Sequence, residues 1–150
     1  MVYIGADHAG FEMKEELKKF FRLQKIAFED MGATTLNAND DYPEYARAVA
    51  KKVSESRGRA KGVLLCGNAQ GVCIVANKHK GIRAVTGYSE YAATTARQDD
   101  DANILCLAGR VISAASAKRI VRKFLSTNFS EATRHRRRLR QIQRLEVQSG

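Results

Sequence analysis

Tryptophan is absent from this chain of 150 residues, proline occurs once, and aromatic residues make up only 7%. One proline leaves no room for proline-rich linkers or recognition segments. No apolar run approaches the roughly 18 residues that a membrane-spanning helix needs. The opening "MVYIGADHAG" carries no basic stretch ahead of its apolar residues, and Asp7 and His8 interrupt them, so it does not read as a secretory signal. A cytoplasmic location, with no membrane partner, is the expectation that follows. Cys66, Cys73 and Cys106 form an odd set without paired ligand spacing, which favours reduced thiols over disulfides or zinc. Asp99, Asp100 and Asp101 lack the alternating ligands of a calcium loop. Neither metal nor cofactor is expected.

What the chain does have is a hydrophobic fraction of 44%, enough for one well-buried domain over residues 1–150, and a net charge of +10. Much of the charge lies in "AKRIVRKFL" and "RHRRRLRQIQR". Such a face is a solvated helix surface or a magnet for nucleic acid, anionic membrane or phosphates. No aromatic residues interleave the C-terminal arginines, which disfavours nucleic acid.

The apolar pattern alternates between short strands and helices. "MVYIGAD", "IAFED", "GVLLC", "GIRAVTG" and "NILCLAG" read as strands. "FEMKEELKKFFRL" carries a helical stripe at positions 11, 13, 17, 20, 21 and 23. "YPEYARAVAKKVSE" places the only proline, Pro43, in a first helical turn. "GVCIVANK", "SEYAATTARQ", "SAASAKRIVRKFLST" and a basic terminal helix over about 130–147 complete the set. Five strands alternating with helices predict an α/β fold, a parallel sheet covered on both faces. Ligands in such folds sit outside the carboxyl ends of the strands. That rule gathers "ADHAG", "CGNAQG" and the "GR" after strand five at one edge. It adds "ARQDDDAN" only if the helix before strand five folds back.

Cys66 ends a strand and faces a loop that leads into a helix. Free amide N–H groups and the helix dipole there favour a thiolate, and the amides from Gly67 to Gly71 suit an oxyanion. Such a pairing fits proton abstraction beside a carbonyl, one possibility among several. Cys73 and Cys106 lie inside apolar patterns and read as core fillers. Asp7 and His8 are a turn and helix cap, or a hydroxyl acceptor beside a phosphate donor. On the last helix Ser130, Arg134 and Arg138 share a face.

Taken in order, "GADHAGFEMKEEL", "DYPEYA", "CGNAQGVCIVANKHKGIRA", "ARQDDDANILCLAGRVI" and "RHRRR" resemble the type B ribose-5-phosphate isomerase family, which includes the galactose-6-phosphate isomerase subunits. The resemblance spans nearly the whole chain. It implies a three-layer αβα, Rossmann-like homodimer, in some members paired again, whose extended C-terminal helix reaches across to the partner. It implies aldose–ketose isomerisation of a phosphorylated sugar without cofactor, with ribose 5-phosphate and ribulose 5-phosphate as the pair. Another sugar phosphate, or a catalytically silent relative that binds sugar phosphate or nucleic acid, is the alternative. By position, Cys66 would move the proton through an enediolate held by the backbone of Gly67 to Gly71, with Asn68 and Ala69 inside that loop. Asp7, Tyr42 and Asp100 would face sugar hydroxyls. His8 and Arg110 would bind phosphate, joined by Arg134, His135 and Arg138 from the partner.

Two departures mark this chain. Asn68 and Ala69 stand where the family usually has Thr and Gly. Asp99 stands where it typically has the histidine thought to open the furanose ring. Relatives that use a loop glutamate instead of the cysteine carry it where this chain has Val72.

Overall fold

The computed structural model describes residues 1–148. Its five strands are β1 (Val2–Ala6), β2 (Phe28–Asp30), β3 (Lys61–Cys66), β4 (Ala84–Thr86) and β5 (Ile104–Ala108). The helices are α1 (Phe11–Leu23), α2 (Tyr42–Glu55), α3 (Gln70–Ala76), α4 (Glu90–Asp100), α5 (Ala114–Ser126) and α6 (Thr133–Gln148). All strand pairs are parallel, in the order β2-β1-β3-β5-β4. No helix among the described residues is long and apolar enough to cross a membrane.

The sheet is apolar on both faces because each strand's alternate residues enter different cores. Val63, Leu65, Leu105 and Leu107 pack against α1, α4 and α5, where Leu17, Phe21, Val121 and Phe124 are fully buried. Leu64, Cys66, Ile104 and Cys106 face α2 and α3, against Val49, Val53, Val72 and Ala76. The expected αβα layering follows directly. The chain turns one way from β1 and the other way from β3, so a crevice opens at their carboxyl ends.

The α1 stripe contains one surprise. Lys14 is fully buried, donating to both Asp30 oxygens at 2.8 and 2.7 Å and to the Ala33 carbonyl at 2.6 Å, while Leu23 is 79% exposed. At the other terminus Glu131 adopts φ 56°, which delays α6 until Thr133. Ser130 is therefore in the preceding turn, not on the helical face expected for it.

Candidate active site

Three loops meet at the carboxyl edge beside the β1–β3 crevice, packed so closely that side chains are excluded. A Cβ at Gly10 would lie 2.6 Å from Leu65 Cβ, and one at Gly109 would lie 2.8 Å from the Ala9 carbonyl. Gly109 and Arg110 donate backbone bonds to the carbonyls of Cys66 and Gly67 at 2.8 and 3.1 Å. The Arg110 side chain passes alongside Gly67. Asp7, His8, Cys66, the Gly67–Gly71 loop and Arg110 thus converge as the sequence pattern implied.

Each has an identifiable seat. Asp7, 6% exposed, accepts the Ala9 and Gly10 amides on Oδ1 at 3.0 and 3.1 Å and so builds the turn into α1. Tyr42 opens α2 with its ring against the Cα of Gly71, where any Cβ would come within 2.5 Å of Cζ. Cys66 is 4% exposed, its Sγ 4.0 Å from Asn68 Oδ1, an oxygen that also accepts the Gln70 amide at 3.2 Å. Asn68 therefore ties the cysteine to the first turn of α3. Ala69 is buried in the left-handed region, φ 68° and ψ −10°. A left-handed alanine costs about 1–2 kcal/mol relative to glycine, and its buried methyl regains about 0.8 kcal/mol. Hence much of the strain of a left-handed alanine is offset by burial of its methyl group. Val72 is fully buried in the core.

His8 borders a cavity of about 410 Å³ with Ala9, Glu12, Gly109 and Arg110. Its ring is held by a residue the sequence pattern did not single out. Asp40 Oδ1 lies 2.8 Å from His8 Nδ1 and accepts the His8 amide at 2.9 Å. Burial pushes the Asp40 carboxyl up, but the His8 amide, the His8 ring and the nearby Tyr45 hydroxyl outweigh it and hold the group below the ordinary carboxylate range. No spacing signal could reveal this contact, because 32 residues and a polar loop separate the partners.

Asp99 and Asp100 do not join this edge. α4 does not fold back: it delivers them to the amino end of β5, whereas Cys66 is level with Ala108 at the carboxyl end. Four steps of about 3.3 Å from Ile104 to Ala108 put the two ends of the strand roughly 13 Å apart. The placement of "ARQDDDAN" beside Cys66 within one chain is thus corrected. Asp101 caps α4 in the left-handed region, bonded to Arg83 and Arg97 at 2.9 and 2.7 Å.

α6 starts beside these aspartates. His135 is 4% exposed; its Nδ1 lies 2.8 Å from Ser130 Oγ and its Nε2 3.6 Å from Asp99 Oδ1. Within one chain Nδ1 is thus taken by Ser130, and Nε2 lies toward Asp99 beyond hydrogen-bond distance. Arg134 and Arg138, one turn apart, are exposed. Asp99 with its neighbour Asp100, and His135 flanked by Arg134 and Arg138 on α6, thus make a second cluster of candidate residues beside the amino end of β5. Among the described residues, no group of His, Cys, Asp and Glu could hold a metal ion.

Comparisons with known proteins identify the family and the fold. Residues 2–142 match the family model described as Ribose/Galactose Isomerase. A probable ribose-5-phosphate isomerase B of Mycoplasma genitalium is 39% identical over 99% of this chain and 97% of its own. The ribose-5-phosphate isomerase B of Mycobacterium tuberculosis is 36% identical over 92% of this chain and 85% of its own. A crystal structure of the Mycoplasma genitalium enzyme with bound ribulose-5-phosphate superposes with TM-score 0.94 at 39% identity, covering 97% of this chain and 95% of that one. The Trypanosoma cruzi type B enzyme gives 0.93 at 34% identity, covering 99% and 97%. An isomerase fold, its carboxyl-edge loops and relatives of nearly equal length lead to one conclusion: this chain is an enzyme of the ribose/galactose isomerase family.

Proposed function

We propose that the protein interconverts ribose 5-phosphate and ribulose 5-phosphate by proton transfer through an enediolate, with Cys66 as the base. The observation that carries this is the meeting of Cys66, the Gly67–Gly71 backbone, Tyr42, His8 and Arg110 at one crevice. It stands in a chain similar to an enzyme crystallised with ribulose-5-phosphate. With the sugar open, Cys66 Sγ takes the C2 proton and returns it to C1, while the O2 hydroxyl proton passes to O1. Backbone amides of the loop hold the enediolate oxygen, and Asp7 and Tyr42 face the hydroxyls. His8 and Arg110 grip the phosphate, for which the planar guanidinium suits two oxygens at once.

The second cluster enters through a partner copy. The Cys66 end and the Asp99 end of one chain are too far apart to touch one small sugar, so a two-fold dimer would join one chain's crevice to the other's α6. The terminal helix has the surface for it: Ile142, Leu145 and Val147 are 41, 62 and 68% exposed on an otherwise arginine-rich element. In the dimer Arg134 and Arg138 add to the phosphate site, and Asp100 meets a hydroxyl. Asp99 opens the ring by taking the C1 hydroxyl proton and passing it to the ring oxygen. A cytoplasmic, cofactor-free role accompanies this reading.

The test is ribulose 5-phosphate formation in D₂O by wild type, Cys66→Ala and Asp99→His. Loss of at least about 100-fold in kcat, together with loss of deuterium uptake at the transferred carbon, is expected for Cys66→Ala. Undiminished turnover would discard the base assignment. Asp99 also favours a second reading, in which four-carbon sugar phosphates, which cannot close a furanose ring, are the better substrates. A gain for Asp99→His on ribose 5-phosphate but not on erythrose 4-phosphate would support it.

A further inference from the structure

His8 is the only group of the phosphate end that belongs to the tight turn after β1, and one acidic side chain governs it. Asp40 Oδ1 accepts two bonds from the same residue, the amide at 2.9 Å and the ring Nδ1–H at 2.8 Å. The Asp40 side chain is 3% exposed, whereas His8 is 32% exposed. The second carboxylate oxygen, Oδ2, is buried without a hydrogen-bond partner among the described residues. Both hydrogen bonds that the structure gives this buried carboxylate therefore come from His8 through Oδ1, with the Tyr45 hydroxyl nearby.

We propose that Asp40 is the positioning residue for His8, holding the ring in its Nδ1–H form so that Nε2 alone faces the sugar-phosphate cavity. The inference rests on the assignment of His8 to the phosphate and goes beyond it. Because Nδ1–H is committed to Asp40, Nε2 can donate to a phosphate oxygen only when the ring is cationic. The carboxylate behind the ring balances that cation, and the dianion in front completes the pair. The groups around His8 are Asp40 with Tyr45 behind it, Asp7 in its own turn, Glu12 and Glu16 on α1, and Arg110 from the loop after β5. Of these only Arg110 is a fixed cation, so an oriented His8 supplies a second side chain toward the phosphate at a rim that is otherwise acidic.

The experiment compares KM and kcat for ribose 5-phosphate in His8→Ala, Asp40→Ala, Asp40→Asn and the His8→Ala/Asp40→Ala double variant. Loss of an orienting carboxylate behind a histidine typically costs on the order of 10-fold or more. The expected result is KM raised about 10-fold in Asp40→Ala with kcat nearly kept, and a smaller rise in Asp40→Asn, whose amide oxygen still accepts. The double variant should match His8→Ala alone, because Asp40 acts only through the ring. Effects that multiply in the double variant would overturn the proposal. So would a flat KM in Asp40→Ala where His8→Ala raises it. A flat KM in His8→Ala would sink the phosphate role of His8 as well. A readout independent of activity is the imidazole ¹⁵N spectrum, assigned with His8→Gln: the Nδ1–H form of neutral His8 is expected, and a dominant Nε2–H form refutes it.

Discussion

Replacing Gly71 by alanine asks whether the Tyr42 ring is held at the loop that carries Cys66. The added Cβ would lie 2.5, 2.6 and 2.9 Å from Tyr42 Cζ, Cε2 and Oη, where ordinary contact begins at 3.4 Å. The ring must therefore move by about 0.9 Å, and at 39% exposure it has solvent to move into. Stability has little to lose, because Gly to Ala within a helix contributes up to about 1 kcal/mol and offsets the lost ring contact. Catalysis has more to lose, since a misplacement near 1 Å can cost on the order of 100-fold. The expected outcome is an unchanged or slightly raised melting temperature with kcat/KM for ribose 5-phosphate down roughly 10- to 100-fold, about 1.4–2.7 kcal/mol of barrier. In a Tyr42→Ala background the same glycine replacement should cost nothing further. An unchanged kcat/KM in the single variant refutes the reasoning. A drop of many degrees in melting temperature also refutes it, because the loop rather than the ring would then have absorbed the clash.

Gly10→Ala is a contrasting case, since its Cβ would meet Leu65 backbone atoms at 2.7 and 2.8 Å that cannot swing away. A loss of about 3 kcal/mol is expected, a fall of roughly 6–12 °C in thermal melting. Burial pushes the Asp30 carboxyl up, but bonds from Lys14, Lys18 and the Gly32 amide outweigh it and hold the group below its ordinary 3.8. A depressed folded pKa contributes stability that is present above the unfolded value and lost as pH falls through the folded one. Asp30→Asn should flatten the denaturant midpoint below about pH 4, and an unaltered acid limb would contradict the pairing. Cys73 is lowered to about 7, chiefly by its hydrogen bond with Cys106, against the opposing effect of burial. Its alkylation should be half-maximal near that pH, ahead of the buried Cys66 and Cys106, and a Cys73→Ser variant should lose that labelling while keeping its activity.

The layers and the carboxyl-edge crevice were legible because they follow from local patterns. Val63 to Cys66 and Ile104 to Leu107 are continuous apolar runs, and each of the helices α1, α2 and α5 carries a stripe of apolar residues. What escaped the sequence depends on contacts across the fold. Lys14 sits on an apolar face because Asp30, 16 residues away, meets it there. Asp40 lies in a polar loop that has no period to read. His135 was placed among phosphate ligands by the resemblance of "RHRRR" alone, and its burial against Ser130 had no signal in the sequence. The position of Asp99 and Asp100 was left conditional in the sequence, on whether the helix before β5 folds back, and that helix does not. A parallel sheet sends the segment before a strand to the opposite end from the segment after it, and under the proposed function a second chain brings the two together.

That second chain is the central claim, and mixed dimers test it. Cys66→Ala loses the crevice half of a site and Arg138→Ala the α6 half, while exposed Arg138 can be replaced without touching the core. If the two variants, each inactive alone, are unfolded and refolded together, half the dimers are mixed and each holds one whole site. About a quarter of the wild-type ribose 5-phosphate isomerase rate should return. No recovery above the separate variants, with dimers present, would contradict a site shared between two copies.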